Sequence, residues 1–152
     1  MKNPNMMMTP TRPSIVIVED ADEDFDTVLE AVKRVGVTVE VRRATSGGEC
    51  LVVLRELNPV CPVLVLMDLN TPGIDGREAL RLIKGDPALK SLPVVVLSTS
   101  DNPRDVDFCY TTGANAYHAK LIRYPDHLQM LIDLLRYWLV QVASPVRGGS
   151  AA

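Results

Sequence analysis

Six residues that could do chemistry together stand far apart in the 152-residue chain, and each closes a short apolar run. "SIVIVED" ends in Glu19 and Asp20, "VLVLMD" in Asp68, "PVVVLST" in Ser98 and Thr99, and "NAYHAK" in Lys120. If the runs are strands of one parallel sheet, three acids, a hydroxyl pair and a lysine share one rim. Three carboxylates in one place are unfavourable without a cation, because like charges in a partly desolvated site raise one another's pKa. An all-oxygen donor set with no Cys or His cluster beside it suits Mg2+ or Mn2+. The lysine adds a second positive charge and the hydroxyl a hydrogen-bond donor, which together describe a site for a phosphoryl group. With no Ser-His pair and no glycine-rich phosphate loop, the natural nucleophile is a carboxylate attacking in line to give an aspartyl-phosphate.

The elements that must position these residues follow from the hydrophobic pattern. Short Val/Ile/Leu runs alternate with longer stretches whose apolar residues stand three and four apart, the signature of repeated βα units. The first strand, "SIVIVE", precedes a helix with Phe25, Val28, Leu29 and Val32 on one face, and "VTVEVRRA" from Val37 alternates as an edge strand does. Ser46 three residues before Glu49 has capping-box spacing, with Cys50, Val53, Leu54 and Leu57 as the stripe of the helix it opens. "VLVLM" and "PVVVLS" are apolar on both faces, as central strands of a parallel sheet are. A third helix begins near Asp75 and stops at Gly85, and Asn102-Pro103 opens a fourth that buries Val106, Cys109 and Tyr110 and ends at Gly113. After "NAYHAK", Pro125 begins a last helix running to about Val142. Five such units with right-handed crossovers give an α/β fold, a parallel sheet covered by helices on both faces, with its chemistry beyond the carboxyl ends of the strands.

Composition narrows the function further. A chain with 47% hydrophobic and 23% charged residues suits one globular domain over residues 14–142, with 1–13 as a flexible lead-in and 143–152 as a flexible tail. A net charge of −3 favours neither nucleic acid nor an anionic membrane surface as partner. The apolar runs fall short of the roughly 20 residues of a membrane span, and the Met-rich start lacks a signal peptide's apolar core, so a cytoplasmic address follows. Cys50, Cys61 and Cys109 have no C-x-x-C spacing and read as reduced thiols.

The acidic pair in "VED", the loop "MDLNTPGIDG", Ser98 after the fourth strand and Lys120 after the fifth together resemble the CheY-like receiver domain of bacterial two-component response regulators, over Ser14 to Val142. The resemblance implies a flavodoxin-like (βα)5 doubly wound sandwich with strand order 2-1-3-4-5. It implies that Asp68 is the phosphoacceptor of a sensor histidine kinase, that Asp20 and Asp68 hold Mg2+ directly and Glu19 through water, and that the Asn70 backbone carbonyl is a further ligand. Ser98 would bond the phosphoryl oxygen, Thr99 would line the site, Lys120 would pair with the phosphoryl group, and Tyr117 matches the aromatic that moves with the hydroxyl residue. The family usually has a cis proline after the lysine, whereas Leu121 follows here. A cis bond before a non-proline residue costs roughly 2.5–4 kcal/mol, which leaves a strained cis bond or a trans path as the alternatives.

"LSTSDNPRDVDFCYTTGANAYHAK" and "LLRYWLV" also resemble the single-domain regulators that partner bacterial phytochrome kinases and commonly pair into dimers. The last helix carries a core stripe of Leu128, Leu131, Ile132, Leu135, Trp138, Leu139 and Val142, with Met130, Leu134 and Tyr137 expected toward water, a face that suits a partner. Output is therefore expected through protein contacts on the surface of the fourth helix, fifth strand and fifth helix, as a homodimer or with a downstream protein. The chain reads as a signalling protein and not an enzyme. A phosphatase alternative rests on "DLNT", which loosely resembles the D-x-D-x-T loop of haloacid-dehalogenase-like hydrolases, but the second acid is replaced by Asn70 and the nucleophile would sit on the wrong strand. A scaffold that works without phosphorylation is opposed by the intact constellation. Asp22 and Asp24 read as helix-start charges, and His118 and His127 as surface or rim residues.

Overall fold

Along each central strand, successive side chains point to opposite faces, and here both faces are apolar. The computed structural model describes residues 13–73 and 75–145, so the first twelve and last seven residues, parts of the expected lead-in and tail, lie outside the described residues. Five strands, β1 (Ser14–Val18), β2 (Glu40–Ala44), β3 (Leu64–Asp68), β4 (Val94–Ser98) and β5 (Ala116–Ala119), pair in parallel in the order β2-β1-β3-β4-β5. The helices between and after them are α1 (Asp22–Val35), α2 (Gly47–Leu57), α3 (Gly76–Gly85), α4 (Pro103–Thr112) and α5 (Tyr124–Arg136), with a π-helical turn at Tyr137–Gln141. This is the doubly wound α/β architecture that the pattern predicts.

Period-two alternation splits the core into two layers. Ile15, Ile17, Leu64, Leu66, Val95 and Leu97 face α1 and α5. Val16, Val18, Val65, Met67, Val94 and Val96 face α2, α3 and α4. β2 has only Ala44 fully buried, as suits its place at the edge. α1 departs from the expected stripe: Val28, Ala31 and Val32 are buried with Phe25 beside them, while Leu29 turns to solvent. In α4 the only fully buried side chain is Cys109; Val106 is half-buried and Tyr110 is exposed. In α5, Leu134 joins the core, so the apolar side toward water is narrower than expected and is carried by Met130 and Tyr137.

The caps are where the residue types place them. Ser46 Oγ accepts the Glu49 N–H at 3.1 Å, and Glu49 Oε1 reaches back to the Thr45 N–H at 3.1 Å, a capping box shifted by one residue. Asp75 caps α3 by accepting the Glu78 N–H at 3.2 Å, and Asn102 caps α4 by accepting the Arg104 N–H at 2.9 Å, with Pro103 in the first turn.

Gly76 joins this frame to the rim. A Cβ there would overlap the Asp68 carbonyl oxygen and stand 2.8 Å from Leu69 Cα, so the start of α3 lies directly on the backbone that carries Asp68. Gly76→Ala is expected to lower unfolding free energy by about 1–3 kcal/mol, read as a lower urea midpoint with an unchanged slope.

Cys50, Cys61 and Cys109 are all free thiols. Burial pushes Cys50 from its ordinary 9.0 up to about 12 and Cys109 up to about 11, and both are buried while Cys61 is partly open. Since the thiolate is the nucleophile, maleimide at pH 8 is expected to add first at Cys61, with Cys50 and Cys109 labelled only on unfolding, as peptide mapping would show.

Candidate functional site

Strand order reverses between β1 and β3: the chain leaves β1 for β2 on one side and returns to β3 on the other. Loops diverge at such a point and leave a crevice at the carboxyl ends of the strands. Glu19 and Asp20 follow β1, and Asp68 ends β3, whose register with β1 sets Met67 opposite Val18. Carboxylate oxygens of Glu19, Asp20 and Asp68 all lie within 4.8 Å of one another. Glu19 and Asp68 are buried and Asp20 is exposed, giving a half-sheltered, all-oxygen cluster open on one side.

Lys120 reaches this cluster from beyond β5. Its Nζ lies 2.8 Å from Glu19 Oε1, 3.3 Å from Asp68 Oδ2 and 2.9 Å from Asp24 Oδ2. Asp24, expected to be a helix-start charge only, is thus a third anchor for the lysine. Burial pulls the Lys120 ammonium down, but its hydrogen bonds to Asp24 and Glu19 and the charges of Asp68 and Glu19 outweigh it, so its pKa stands raised. Burial raises Glu19 above its ordinary 4.5, overcoming the opposing hydrogen bond and charge of Lys120, with the Asp68 charge adding to the rise. One lysine does not neutralise the cluster, and its donor set fits a divalent cation held by Glu19, Asp20 and Asp68.

Arg43 on β2 fixes the loop that carries the acidic pair. Its Nε donates to the Glu19 carbonyl at 3.0 Å, its Nη1 pairs with Asp22 at 2.8 Å, and its guanidinium stands 4.5 Å over the Phe25 ring. Glu19 N–H donates to the Ala44 carbonyl at 2.9 Å, and the Glu19 carboxylate accepts the Ala21 N–H at 3.2 Å. On the β3 side, Asp68 Oδ1 accepts the Asn70 N–H at 3.0 Å, which folds the loop back over the carboxylate.

Ser98 is fully buried at the end of β4, one step beyond Leu97, the register partner of Asp68. Its Oγ accepts the Ser100 N–H at 3.1 Å, and its carbonyl accepts the Lys120 N–H at 2.7 Å. Thr99 is exposed. Tyr117 packs on the α2, α3 and α4 side of the core and donates its hydroxyl to the Ser100 carbonyl at 2.6 Å. Ser100 donates from Oγ to Asp105 Oδ2 at 2.7 Å. Arg77 links Asp105 Oδ1, at 3.0 Å, to the Asn70 side chain, at 3.3 Å, so the loops after β3 and β4 are tied. The hydrogen bond from Ser100 first, and then that from Arg77, hold Asp105 below the usual carboxylate range.

The open question at Lys120 has an answer: among the described residues the cis peptide bond is Asn58–Pro59, and Lys120–Leu121 is trans. The Leu121 N–H donates to His127 Nδ1 at 3.2 Å. His127 is buried, against the surface or rim role expected for it. Neither Asp24 nor His127 could be found by spacing, since each meets the lysine's loop only through tertiary packing. His118 is half-buried and lines a groove of about 730 Å³ between the end of β5 and α5, with Ala116, Met130, Tyr137 and Trp138 among its walls.

A parallel sheet in this order, with acids at its switch point, a hydroxyl on the next strand and a lysine on the one after, defines a receiver. The model of the response regulator receiver domain matches residues 15–132, and the chain belongs to that family. It is 36% identical over 135 residues to response regulator Rcp1 of Synechocystis sp., an overlap of 86% of this chain and 92% of Rcp1. The crystal structure of the phosphorylated cyanobacterial phytochrome response regulator RcpA superposes with a TM-score of 0.84 at 36% identity, covering 90% of this chain and all of RcpA. The structure of response regulator RPA3017, in red light signaling of R. palustris, gives 0.77 at 29% identity over 88% of this chain and 99% of that one. The protein is a receiver-type response regulator similar to phytochrome response regulators. Among the described residues, no helix is long and apolar enough to cross a membrane.

An acid whose folded-state pKa is raised costs stability that grows as pH rises above its ordinary value. Glu19→Gln is therefore expected to raise the thermal midpoint of the metal-free protein at pH 7 by about 2–4 °C. The gain should shrink toward pH 4.5, where wild-type Glu19 takes up its own proton, and calorimetry across that range checks both.

Proposed function

We propose that Asp68 accepts a phosphoryl group from a sensor histidine kinase, and that the modification switches the protein contacts of the chain. The observation that carries this reading is the convergence of Lys120 with Glu19 and Asp68 at 2.8 and 3.3 Å on a rim where Asp20 completes an acidic cluster. In the transfer, an Asp68 carboxylate oxygen bonds to phosphorus as the bond from phosphorus to the kinase imidazole breaks. Asp20 and Asp68 would hold Mg2+ directly and Glu19 through water, with the Asn70 backbone carbonyl as a further ligand. When bound, the cation supplies charge neutralisation to the phosphoryl oxygens. Rcp1 has a Mn2+-bound crystal structure, which supports a divalent cation in this chain as well.

Ser98 and Lys120 would then receive the phosphoryl oxygens, with Thr99 lining the approach. Ser98 can donate its hydroxyl proton to a phosphoryl oxygen while its Oγ still accepts the Ser100 N–H, which ties that contact to the loop whose Ser100 carbonyl holds Tyr117. A partner available only in the phosphorylated state shifts the population between two packings. The face of α4, β5 and α5 would read this out, as a homodimer contact or toward a downstream protein. Exposed Tyr110, Tyr137 and Val140, with the groove beside β5, support that surface.

The similarity to RcpA and RPA3017 supports a kinase of the phytochrome class upstream. Residues 14–142 would form the receiver unit, acting as phosphoacceptor and not as a turnover enzyme. Three free thiols suit a cytoplasmic address, and the net charge of −3 does not favour nucleic acid or an anionic membrane as partner.

Incubation with acetyl phosphate and Mg2+, followed by intact mass measurement, is expected to give one acid-stable, base-labile phosphoryl adduct on wild type and none on Asp68→Asn. An adduct that persists in Asp68→Asn would overturn the reading. Multiple turnover of a simple phosphate ester would point to the phosphatase chemistry.

A further inference from the structure

Lys120 must hold its ammonium at the acidic cluster although the residue after it lacks the rigid ring that family members usually carry there. The structure supplies another restraint. Leu121 has the backbone N–H that a proline lacks, and it donates to His127 Nδ1 at 3.2 Å. His127 belongs to the first turns of α5, its own N–H donates to the Arg123 carbonyl at 2.9 Å, and the residue is only 8% exposed. The acceptor therefore sits on a rigid element, and the loop of Lys120 is pinned to that element one residue past the lysine. On the other side of Lys120, its own N–H donates to the Ser98 carbonyl at 2.7 Å. The lysine backbone is thus held between β4 and α5.

We propose that His127 is a positioning residue for Lys120: by accepting the Leu121 N–H it fixes the trans path after β5 and aims the ammonium at Asp68 and Glu19. This role rests on the phosphoacceptor reading of Asp68, since its consequence is the presentation of Lys120 to the phosphoryl group. Only the imidazole with a bare Nδ1 can accept, so the restraint requires neutral His127 with its proton on Nε2. The surroundings keep it so. Burial lowers its pKa below the ordinary 6.5, the Lys120 charge lowers it further, and Asp24 on α1 opposes them. On its own helix, Asp126 precedes it, and the helix N-terminus disfavours a cation. As pH falls, protonation at Nδ1 sets one donor against another and releases the loop.

The test joins two measurements on the full chain. By NMR, the Leu121 amide resonance of wild type is expected to shift with the same midpoint as the His127 ring, and to lose that titration in His127→Leu. In phosphorylation by acetyl phosphate with Mg2+ at pH 7.5, His127→Leu is expected to react about tenfold more slowly, the loss of one oriented hydrogen bond. His127→Asn, whose Oδ1 falls where Nδ1 was, is expected to stay within about twofold of wild type. The ratio of the wild-type rate to the His127→Asn rate should fall below pH 6, because the amide does not titrate. A Leu121 amide indifferent to the ring, or a His127→Leu rate equal to wild type, would overturn the positioning role while leaving Asp68 as phosphoacceptor. Absence of an adduct on wild type would overturn the phosphoacceptor reading and the positioning role with it.

Discussion

One buried ammonium among three carboxylates ties the molecule together. Lys120 comes from beyond β5, while Glu19, Asp24 and Asp68 come from the ends of β1 and β3 and the start of α1. Removing the lysine would leave Glu19 and Asp68 buried with no cation to balance them, and that costs several kcal/mol. The elements must therefore meet in one arrangement. The sheet brings the rims together, and the ammonium records whether they have met correctly. A further anion on this rim would compete for a cation already divided among three carboxylates.

Around that centre, backbone groups set the geometry more than side chains do. Arg43 holds the Glu19 carbonyl, the Asn70 N–H holds the Asp68 carboxylate, and the Ser98 carbonyl holds the Lys120 N–H. Loops are the mobile parts of a fold, and these are pinned by short polar contacts while their flanks rest on two apolar layers. The link from Asn70 through Arg77 and Asp105 to Ser100 joins the loop after β3 to the loop after β4. A chain of polar contacts thus runs from Asp68 to Tyr117.

The sequence pattern made the strands legible because Ile15 to Val18, Leu64 to Met67 and Val94 to Leu97 are apolar on both faces and leave no competing reading. The site acids, Ser98 and Lys120 were legible because strand ends fall in register once the sheet is known. Other positions were not. Val28, Ala31 and Val32 line the buried face of α1, and Leu29, on the flank of that stripe, is turned out. Tyr110 lies outward because the end of α4 has no layer above it. Asp24 and His127 owe their partners to the packing of α1 against α5, which no spacing along the chain encodes. The path after Lys120 depends on a single N–H, visible in sequence only as the absence of a proline.

Tyr110 has a second side. Its hydroxyl accepts the Tyr117 N–H at 3.1 Å, and β5 is the last strand of the sheet. An unpaired strand edge is a template on which other chains can pair. With one of its four residues already engaged by a side chain from α4, β5 offers too short a run of free backbone for another strand to zip onto. Copies of the chain that meet on this face would do so through rings and aliphatic side chains, and the sheet would stay five strands wide.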